Sequence, residues 1–143
     1  MNKKAENFKA YLDRNKINCF IAEEIPNDHL HTTVFRSSID INGQQLPTLL
    51  LLDDSIYAMI RVLVSPKSLT KENSAGLFGH LNDLNKQYKS FKYYFDDTGN
   101  LVLDCCLLCP EETIAGNFVY TMFNVIIKHV NSEYKNLMKL IWK

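Results

Sequence analysis

The sequence lacks an excess of charge of either sign. Its 143 residues contain 16 lysines and arginines against 16 aspartates and glutamates, so the formal net charge at pH 7 is zero. Proteins that bind nucleic acid through its phosphates usually carry a basic surplus on one face. The small basic clusters here lie near the two ends of the chain, at Lys3–Lys4 and at Lys135, Lys139 and Lys143. The sequence therefore predicts no nucleic-acid partner.

Long apolar segments are also missing. Wholly apolar runs such as Leu49–Leu52 are far shorter than the ~20 residues that a membrane-spanning helix needs. The first residues, Met1–Phe8, are polar and charged, and no apolar segment typical of a secretory signal follows them. Four cysteines in a chain without such a signal are typical of free thiols in a reducing compartment. We therefore expect a cytoplasmic protein without a membrane partner.

The motifs of common catalytic sites are absent as well. The chain contains neither the G-x-S-x-G motif of α/β-hydrolases nor the G-x-x-x-x-G-K-[ST] phosphate-binding loop. Adjacent carboxylates occur at Asp53-Asp54 and Asp96-Asp97, but both pairs fall in predicted turns. A general acid needs burial to raise its pKa, whereas the aspartates of turns are solvated. The sequence predicts a protein that is not an enzyme and holds no cofactor.

Cysteine and histidine supply two candidate sites for a metal or a small ligand. The first is the cluster Cys105, Cys106 and Cys109, and the second is the pair His29 and His31. A zinc site needs several such ligands that converge on the ion. In the predicted strand, however, Cys105 and Cys106 point to opposite faces, and no second C-x-x-C or H-x-x-x-H pair is present. Packed or exposed side chains are the favoured interpretation, and a small-ligand or metal-binding regulatory domain is the alternative.

Periodicity predicts both helices and strands. Apolar residues at helical spacing predict a helix over 3–17, a second one from about Thr70, and a long segment from Pro110 that is one helix or two. Alternation and apolar runs predict strands at 33–41, 45–52 and 56–64 and a hairpin over 91–108, with a short extended segment at 19–24.

Turn residues join these strands. Asn42-Gly43 predicts a tight hairpin, because such a turn needs positive φ at both central residues. Gly99 supplies the same freedom between the last two strands. Strands in antiparallel runs with few helices indicate an α+β protein. We expect a single domain over residues 1–143 with a five-stranded antiparallel sheet in the order α-β-β-β-α-β-β-α.

One face of the predicted sheet has an unusual composition. If alternate residues of 56–64 face the helices, then the others point away, together with part of the second hairpin. These outward residues are Tyr57, Met59, Arg61, Leu63, Tyr94, Val102, Cys106 and Leu108. A solvated sheet face is normally polar, whereas this mixture resembles a protein interface. The pattern predicts binding of a protein partner or of a second copy at these residues, and cover by a helix of the same chain is the alternative.

The segment from Leu84 to Leu103 resembles a known family. It combines the helix end Leu84-Asn85-Lys86 and Tyr88 with an aromatic strand, an acidic glycine turn and an apolar strand, in Phe91, Phe95-Asp96-Asp97-Thr98-Gly99-Asn100 and Leu101-Val102-Leu103. This pattern is similar to the YbjN family, which is grouped with the type III secretion chaperone-like proteins. The resemblance is clearest over residues 77–130 and extends weakly over most of the chain.

The resemblance implies a fold and a role. It implies the order α-β-β-β-α-β-β-α, frequent homodimers and roles without catalysis, such as the binding of unfolded effector segments by secretion chaperones. Secretion chaperones of this kind are acidic, whereas this chain is neutral. The expectation is a homodimeric, chaperone-like or adaptor domain that binds another protein.

Overall fold

A computed structural model describes residues 1–142 and shows an α+β architecture. The helices of these residues are Lys3–Arg14 (α1), Ser74–Gln87 (α2) and Gly116–Ile141 (α3). The strands of these residues are Ile21–Glu24 (β1), Thr33–Ile41 (β2), Gln44–Leu52 (β3), Tyr57–Ser65 (β4), Phe91–Phe95 (β5) and Leu101–Leu108 (β6).

The strands form one antiparallel sheet with the order β1-β2-β3-β4-β6-β5. The prediction of five strands was wrong, because the sheet within residues 1–142 has six. The additional strand is β1, whose four residues pair with residues 33–36 at the sheet edge. β1 falls within the predicted extended segment 19–24, but all four of its residues are exposed, so no burial pattern predicted its pairing in the sheet. The element order is therefore α-β-β-β-β-α-β-β-α.

Two turns place neighbouring strands as the sequence predicts. Asn42 and Gly43 have φ of 52° and 83°, the positive values that a two-residue hairpin turn requires. Gly99 has φ of 80° in the turn between β5 and β6. Both predicted hairpins are confirmed, and each sets the register of its strand pair.

α1 begins where the periodicity predicts but ends earlier, at Arg14. Asn2 is its N-cap, and the Asn2 side chain accepts a hydrogen bond of 2.8 Å from the Ala5 N–H. At the other end Lys16 has a φ of 54°, and the Ile17 N–H bonds back to a carbonyl of the last helical turn. The chain therefore leaves the helix before Ile17, although the apolar spacing continues to that residue.

α2 also begins later than predicted. The helix was predicted from about Thr70, but it starts at Ser74. The Thr70 N–H donates to the Asn73 side chain at 2.7 Å, and the Asn73 N–H donates to the Thr70 hydroxyl at 3.1 Å. These reciprocal bonds close a turn ahead of the helix, so Thr70 organises the entry to α2 without capping it.

The segment before α3 packs as an irregular connection. Pro110 does not open the helix, which starts at Gly116 and then continues as one helix to its end. The buried Ile114 donates its N–H to the Asn7 side chain of α1 at 2.8 Å, so the connection is tied to α1. A Cβ at Gly116 would lie 2.2 Å from the ring of Tyr11. Glycine therefore allows α3 to begin this close to α1.

The helices of the described chain all pack against one face of the sheet, which we call the inner face. In β4 the inner side chains Ala58, Ile60 and Val62 are almost fully buried, and they belong to the same core as the apolar stripes of α1, α2 and α3. From α1, Phe8 packs edge-on against Phe35 of β2, with ring centroids 5.1 Å apart. The core therefore occupies the space between the helix layer and the inner face.

α3 is amphipathic over its whole length. Its buried residues include Val119, Ile126 and Leu137, whereas Lys128 and Lys135 are exposed on its other side. Within residues 1–142 no helix is both long and apolar enough to cross a membrane.

Candidate functional site

The face of the sheet that points away from the helices, which we call the outer face, carries all eight residues predicted to bind a partner. Side chains of β4 and β6 alternate between the core and this face. The strand register places the predicted residues side by side in the pairs Tyr57–Leu108, Met59–Cys106, Leu63–Val102 and Tyr94–Val102. Arg61 lies opposite Asp104, between the pair Met59–Cys106 and the pair Leu63–Val102.

The outer face contains four further aliphatic residues that the sequence reasoning missed, and one of them is Ile21 of β1, which lies opposite Arg36. Val34 of β2 lies opposite Leu51 of β3, and Leu51 lies opposite Met59 of β4. Leu49 lies opposite Arg61. The signal for Leu49 and Leu51 was the run Leu49–Leu52, because a strand that is apolar on both faces has no alternation and presents leucine to each side. For Val34 the signal was the alternation of β2, which places it on the same face as Arg36.

No helix of residues 1–142 covers the outer face. The buried side chains of α1, α2 and α3 share one hydrophobic core with the inner face, and that core contains no outer-face side chain. Val34 and Val102 are buried although they lie outside this core, because neighbouring side chains of the outer face surround them. The alternative of cover by the chain's own helix is therefore wrong for the described residues.

Exposure on the outer face increases toward one end of β4 and β6. Leu108 is 68% exposed and Tyr57 is 50% exposed, and these two residues are direct neighbours across the strands. At the other end Leu63 is half-buried and Val102 is buried. On β4 and β6 the exposed apolar surface is therefore concentrated around the pair of Tyr57 and Leu108, and at the sheet edge Ile21 is also exposed.

A polar network lies within this apolar surface. Arg61 donates to Asp104 through Nε at 2.8 Å and through Nη2 at 2.9 Å, which is a bidentate ion pair. The Tyr94 hydroxyl donates to Asp104 at 3.0 Å. The hydrogen bonds to Asp104 raise the pKa of Arg61, and burial together with the Asp104 charge raises the pKa of Tyr94. The network thus carries a fixed positive and a fixed negative charge that compensate each other.

The register groups the outer-face residues into rows that cross the strands. The Met59 row consists of the apolar residues Val34, Leu51, Met59 and Cys106, with Glu23 at its end on the edge strand β1. The next row, the Arg61 row, carries most of the charge and consists of Ile21, Arg36, Leu49, Arg61, Asp104 and Lys92. On the other side of the Met59 row lie Tyr57 and Leu108. Two mainly apolar rows therefore lie on one side of the charged Arg61 row.

The three clustered cysteines do not converge. Cys105 is buried on the inner face, Cys106 is exposed on the outer face, and Cys109 is buried just beyond β6. The Cys109 thiol lies 3.5 Å from the Thr113 carbonyl oxygen, to which it donates. Burial raises the pKa of the Cys105 thiol to about 11, so this thiol is protonated at neutral pH. The exposed Cys106 is the one of the three that solvent reaches.

The histidine pair likewise separates. His29 is exposed, whereas the Nδ1 atom of His31 lies 2.7 Å from a carboxylate oxygen of Asp54. His31 and Asp54 line an open cleft of about 870 Å³, in which acidic and basic side chains are mixed. Among residues 1–142 no three His, Cys, Asp or Glu side chains form a group that could hold a metal ion.

The adjacent carboxylates organise turns. Asp96 accepts hydrogen bonds from Thr98 and from the backbone N–H and side chain of Asn100, and these bonds lower the pKa of Asp96. Asp53 accepts hydrogen bonds from the backbone N–H and the hydroxyl of Ser55. Each of these carboxylates is bound to groups of its own turn, as the sequence reasoning favoured.

His129 is a buried histidine of α3, and the sequence does not predict its surroundings. The Nε2 atom of His129 lies 2.8 Å from the Tyr93 hydroxyl, and the ring is packed against Tyr88 and Phe91. Its Nδ1 atom is buried without a hydrogen-bond partner among the described residues. Burial lowers the pKa of His129, so the neutral ring is the stable form in the folded protein.

The chain matches no family model, and no curated protein matches it.

Proposed function

We propose that this chain is a non-enzymatic protein-binding domain and that two copies associate through their outer faces. The observation that carries the proposal is the apolar outer face that no helix of residues 1–142 covers. Single apolar side chains are common on protein surfaces, but contiguous apolar surface is typical of interaction sites. Tyrosine, methionine and arginine, which are enriched at interfaces, lie at its centre in Tyr57, Met59 and Arg61.

The size of the outer face fits a stable dimer. Six strands with 44 residues in all, spaced about 4.8 Å apart with a rise of about 3.3 Å per residue, span a surface of roughly 700 Å². A standard protein interface buries about 800 Å² on each partner. Two such faces that stack as sheets about 10 Å apart form an apolar layer like that of a β-sandwich.

The charge of the outer face favours a second copy as its occupant. The register assigns three anionic side chains to this face, Glu23, Asp40 and Asp104, and three cationic ones, Arg36, Arg61 and Lys92. Three positive and three negative charges sum to zero, so two copies do not repel each other through net charge. A strongly charged partner would gain no attraction from this neutral surface.

The resemblance to the YbjN family supports a chaperone-like or adaptor role for the dimer in the cytoplasm. In this role the dimer holds an extended segment of another protein and carries out no reaction. The four cysteines of the chain are free thiols, which fits a reducing compartment.

Light scattering of two matched variants tests association through the outer face. Leu108→Lys places a charge on the outer face, and Val125→Lys places the same charge on the exposed side of α3; both residues are exposed, so neither change disturbs the core. We expect wild type and Val125→Lys to have twice the chain mass of 16.5 kDa, and Leu108→Lys to be monomeric. A monomeric wild type at every accessible concentration, or equal dimerisation of both variants, contradicts the proposal.

The chaperone-like role has its own test. The dimer should suppress the aggregation of a chemically unfolded client protein, followed by turbidity, with bovine albumin as the inert control protein. If turbidity is unchanged at a several-fold molar excess of the dimer, the proposed chaperone-like role is wrong, whereas the proposed dimer is not affected by this result.

A further inference from the structure

The Arg61 side chain restricts how two outer faces can stack. Its Nε and Nη2 atoms bind Asp104, and its Nη1 atom has no partner among the described residues. When the face is covered, the Nη1 hydrogens lose water and require an acceptor or an aromatic ring on the partner. Arrangements that place Arg61 on Arg61 of the second copy instead bring two like charges together.

This requirement excludes two symmetric arrangements. A two-fold axis that runs along the Arg61 row stacks this row on itself, and with it Arg61, Arg36 and Lys92 on their own copies. An axis that runs along β4 also places Arg61 on its own copy. Like charges in a desolvated interface are unfavourable, so neither axis is compatible with a stable dimer.

An axis along the Met59 row satisfies Arg61. Tyr57 and Arg61 are equally spaced on the two sides of Met59 in β4, so this axis turns Arg61 of one copy onto Tyr57 of the partner subunit. The Tyr57 hydroxyl has no hydrogen-bond partner within the described chain, and its ring is half exposed. Tyr57 therefore offers both an acceptor oxygen and an aromatic face to the guanidinium group.

The increase in side-chain exposure toward Tyr57 and Leu108 favours the same axis. An axis through the opposite end of the sheet, along Leu63 and Val102, would leave Leu108 and Tyr57 in water, although these are the most exposed apolar residues of β4 and β6. An axis along the Met59 row brings both into the interface. Val34, Leu51, Met59 and Cys106 of the row are apolar and can face their own copies, and the Glu23 carboxylate at the edge of the row accepts a hydrogen bond of 3.0 Å from Arg36.

We propose that the two-fold axis of the dimer runs along the Met59 row and that Arg61, held by Asp104 and Tyr94, fixes this register by binding Tyr57 of the partner subunit. The inference rests on association through the outer face and names the partner as a second copy. It makes Arg61 the residue that determines specificity, since an apolar partner without an acceptor at this place leaves the Nη1 hydrogens unpaired.

Crosslinking along β4 and β6 tests the register. Stacked sheets lie about 10 Å apart, so thiols that face each other across the axis are within reach of a short bifunctional methanethiosulfonate reagent. The reporters are made in a Cys19→Ser background, which removes the other exposed thiol. They are the native Cys106, and Met59→Cys and Leu63→Cys combined with Cys106→Ser.

Each reporter has a distinct expected result. Cys106 and Met59→Cys lie on the axis and should give covalent dimers on denaturing gels. Leu63 lies four residues from Met59, about 13 Å along the strand, so two copies of Leu63→Cys are about 26 Å apart and should not crosslink. Crosslinking of Leu63→Cys with none at Cys106, in a protein that light scattering shows to be dimeric, overturns the register alone. A monomer overturns the dimer itself.

Removal of the ion pair tests the role of Arg61. The double variant Arg61→Leu/Asp104→Leu keeps an apolar outer face and leaves no unpaired charge behind. It should remain dimeric, lose Cys106 crosslinking several-fold and gain crosslinking at Leu63→Cys, because other registers become accessible. Retention of the wild-type crosslinking pattern in this double variant contradicts the assignment of register to Arg61.

Discussion

The two faces of one sheet are built by the same strands and differ in what covers them. On the inner face, Ile60 and its neighbours are closed off from water by α1, α2 and α3. On the outer face, Met59 and its neighbours pack only against each other and surround the ion pair of Arg61 with Asp104. Strands β2–β6 of the described chain place no charged side chain on the inner face. Alternation along β4 thus separates residues that the helices bury from residues that we propose to bind a partner.

This difference has an energetic meaning. Full burial of a leucine or isoleucine side chain stabilises a protein by roughly 1.5–3 kcal/mol. Ile60 contributes this free energy in every folded chain, because it is fully buried by the helix layer. Leu108 and Tyr57 gain a comparable amount only when a partner covers them. Burial of the inner face therefore stabilises the folded chain, whereas burial of the outer face would stabilise a complex.

Substitution of two adjacent leucines of β3 tests the difference between the inner and outer faces, and we expect the largest change in stability there. Leu50 is fully buried on the inner face, and Leu51 is half-buried on the outer face. Leu50→Ala should lower the free energy of unfolding by about 2–5 kcal/mol, because it leaves a cavity in the core. Leu51→Ala should lower it by less than half of that in the monomer and should weaken the dimer. Urea unfolding at low protein concentration measures the free energy of unfolding of both variants. Equal losses in the two variants would contradict the difference between the faces.

Gly116 tests how tightly the helix layer closes the inner face. A Cβ at this position meets the ring of Tyr11, so Gly116→Ala should lower the free energy of unfolding by about 1–3 kcal/mol. The double variant Gly116→Ala/Tyr11→Leu should recover part of this loss, because the ring that clashes is gone. Thermal unfolding by circular dichroism provides the measurement. An unchanged melting temperature in Gly116→Ala would show that α1 and α3 are less closely packed.

His129 makes the stability of the helix layer depend on pH. Burial lowers its pKa in the folded protein from the ordinary value of 6.5, so as the pH falls the unfolded chain takes up a proton at this site at a higher pH than the folded protein does. The contribution of the neutral His129 to the free energy of unfolding should therefore be complete above pH 6.5 and decrease as the pH drops below it. His129→Gln should flatten this part of the pH dependence, as read from urea midpoints. An unchanged slope in the variant would mean that other groups cause the loss.

Gly79 tests a part of the helix layer that touches neither face. It lies on the exposed side of α2, where a Cβ has nothing within 4 Å. Gly79→Ala should raise the free energy of unfolding by about 0.5–1 kcal/mol, because alanine favours the helix more than glycine does. Dimerisation should be unchanged, which light scattering can check. A loss of stability would indicate that a partner approaches α2 at this position.

Much of the fold could be predicted because the turns and alternation of β2–β6 are local signals. Asn42, Gly43 and Gly99 adopt the positive φ that their positions predict. An extended segment was predicted where β1 lies, but its pairing in the sheet could not be predicted, because Ile21–Glu24 is held by β2 and has no burial pattern of its own. The delayed start of α3 also depends on long-range contacts, since Asn7 of α1 holds the preceding segment.

The outer face was only partly predictable for a similar reason. Alternation in β4 identified Tyr57, Met59, Arg61 and Leu63, because their inner neighbours are uniformly apolar. Leu51 was missed, since β3 is apolar on both sides. The pairing of Arg61 with Asp104 depends on β6 lying beside β4, a long-range arrangement that period-2 alternation does not specify.

Two exposed thiols of the chain provide a direct test of whether the outer face joins two copies. Cys106 lies on the outer face, and Cys19 lies before β1 outside it. Alkylation rates of both thiols are measured by mass spectrometry over a range of protein concentrations. We expect Cys106 to become protected as the dimer forms, while Cys19 reacts at a constant rate. Dimer formation without protection of Cys106 would contradict association through the outer face.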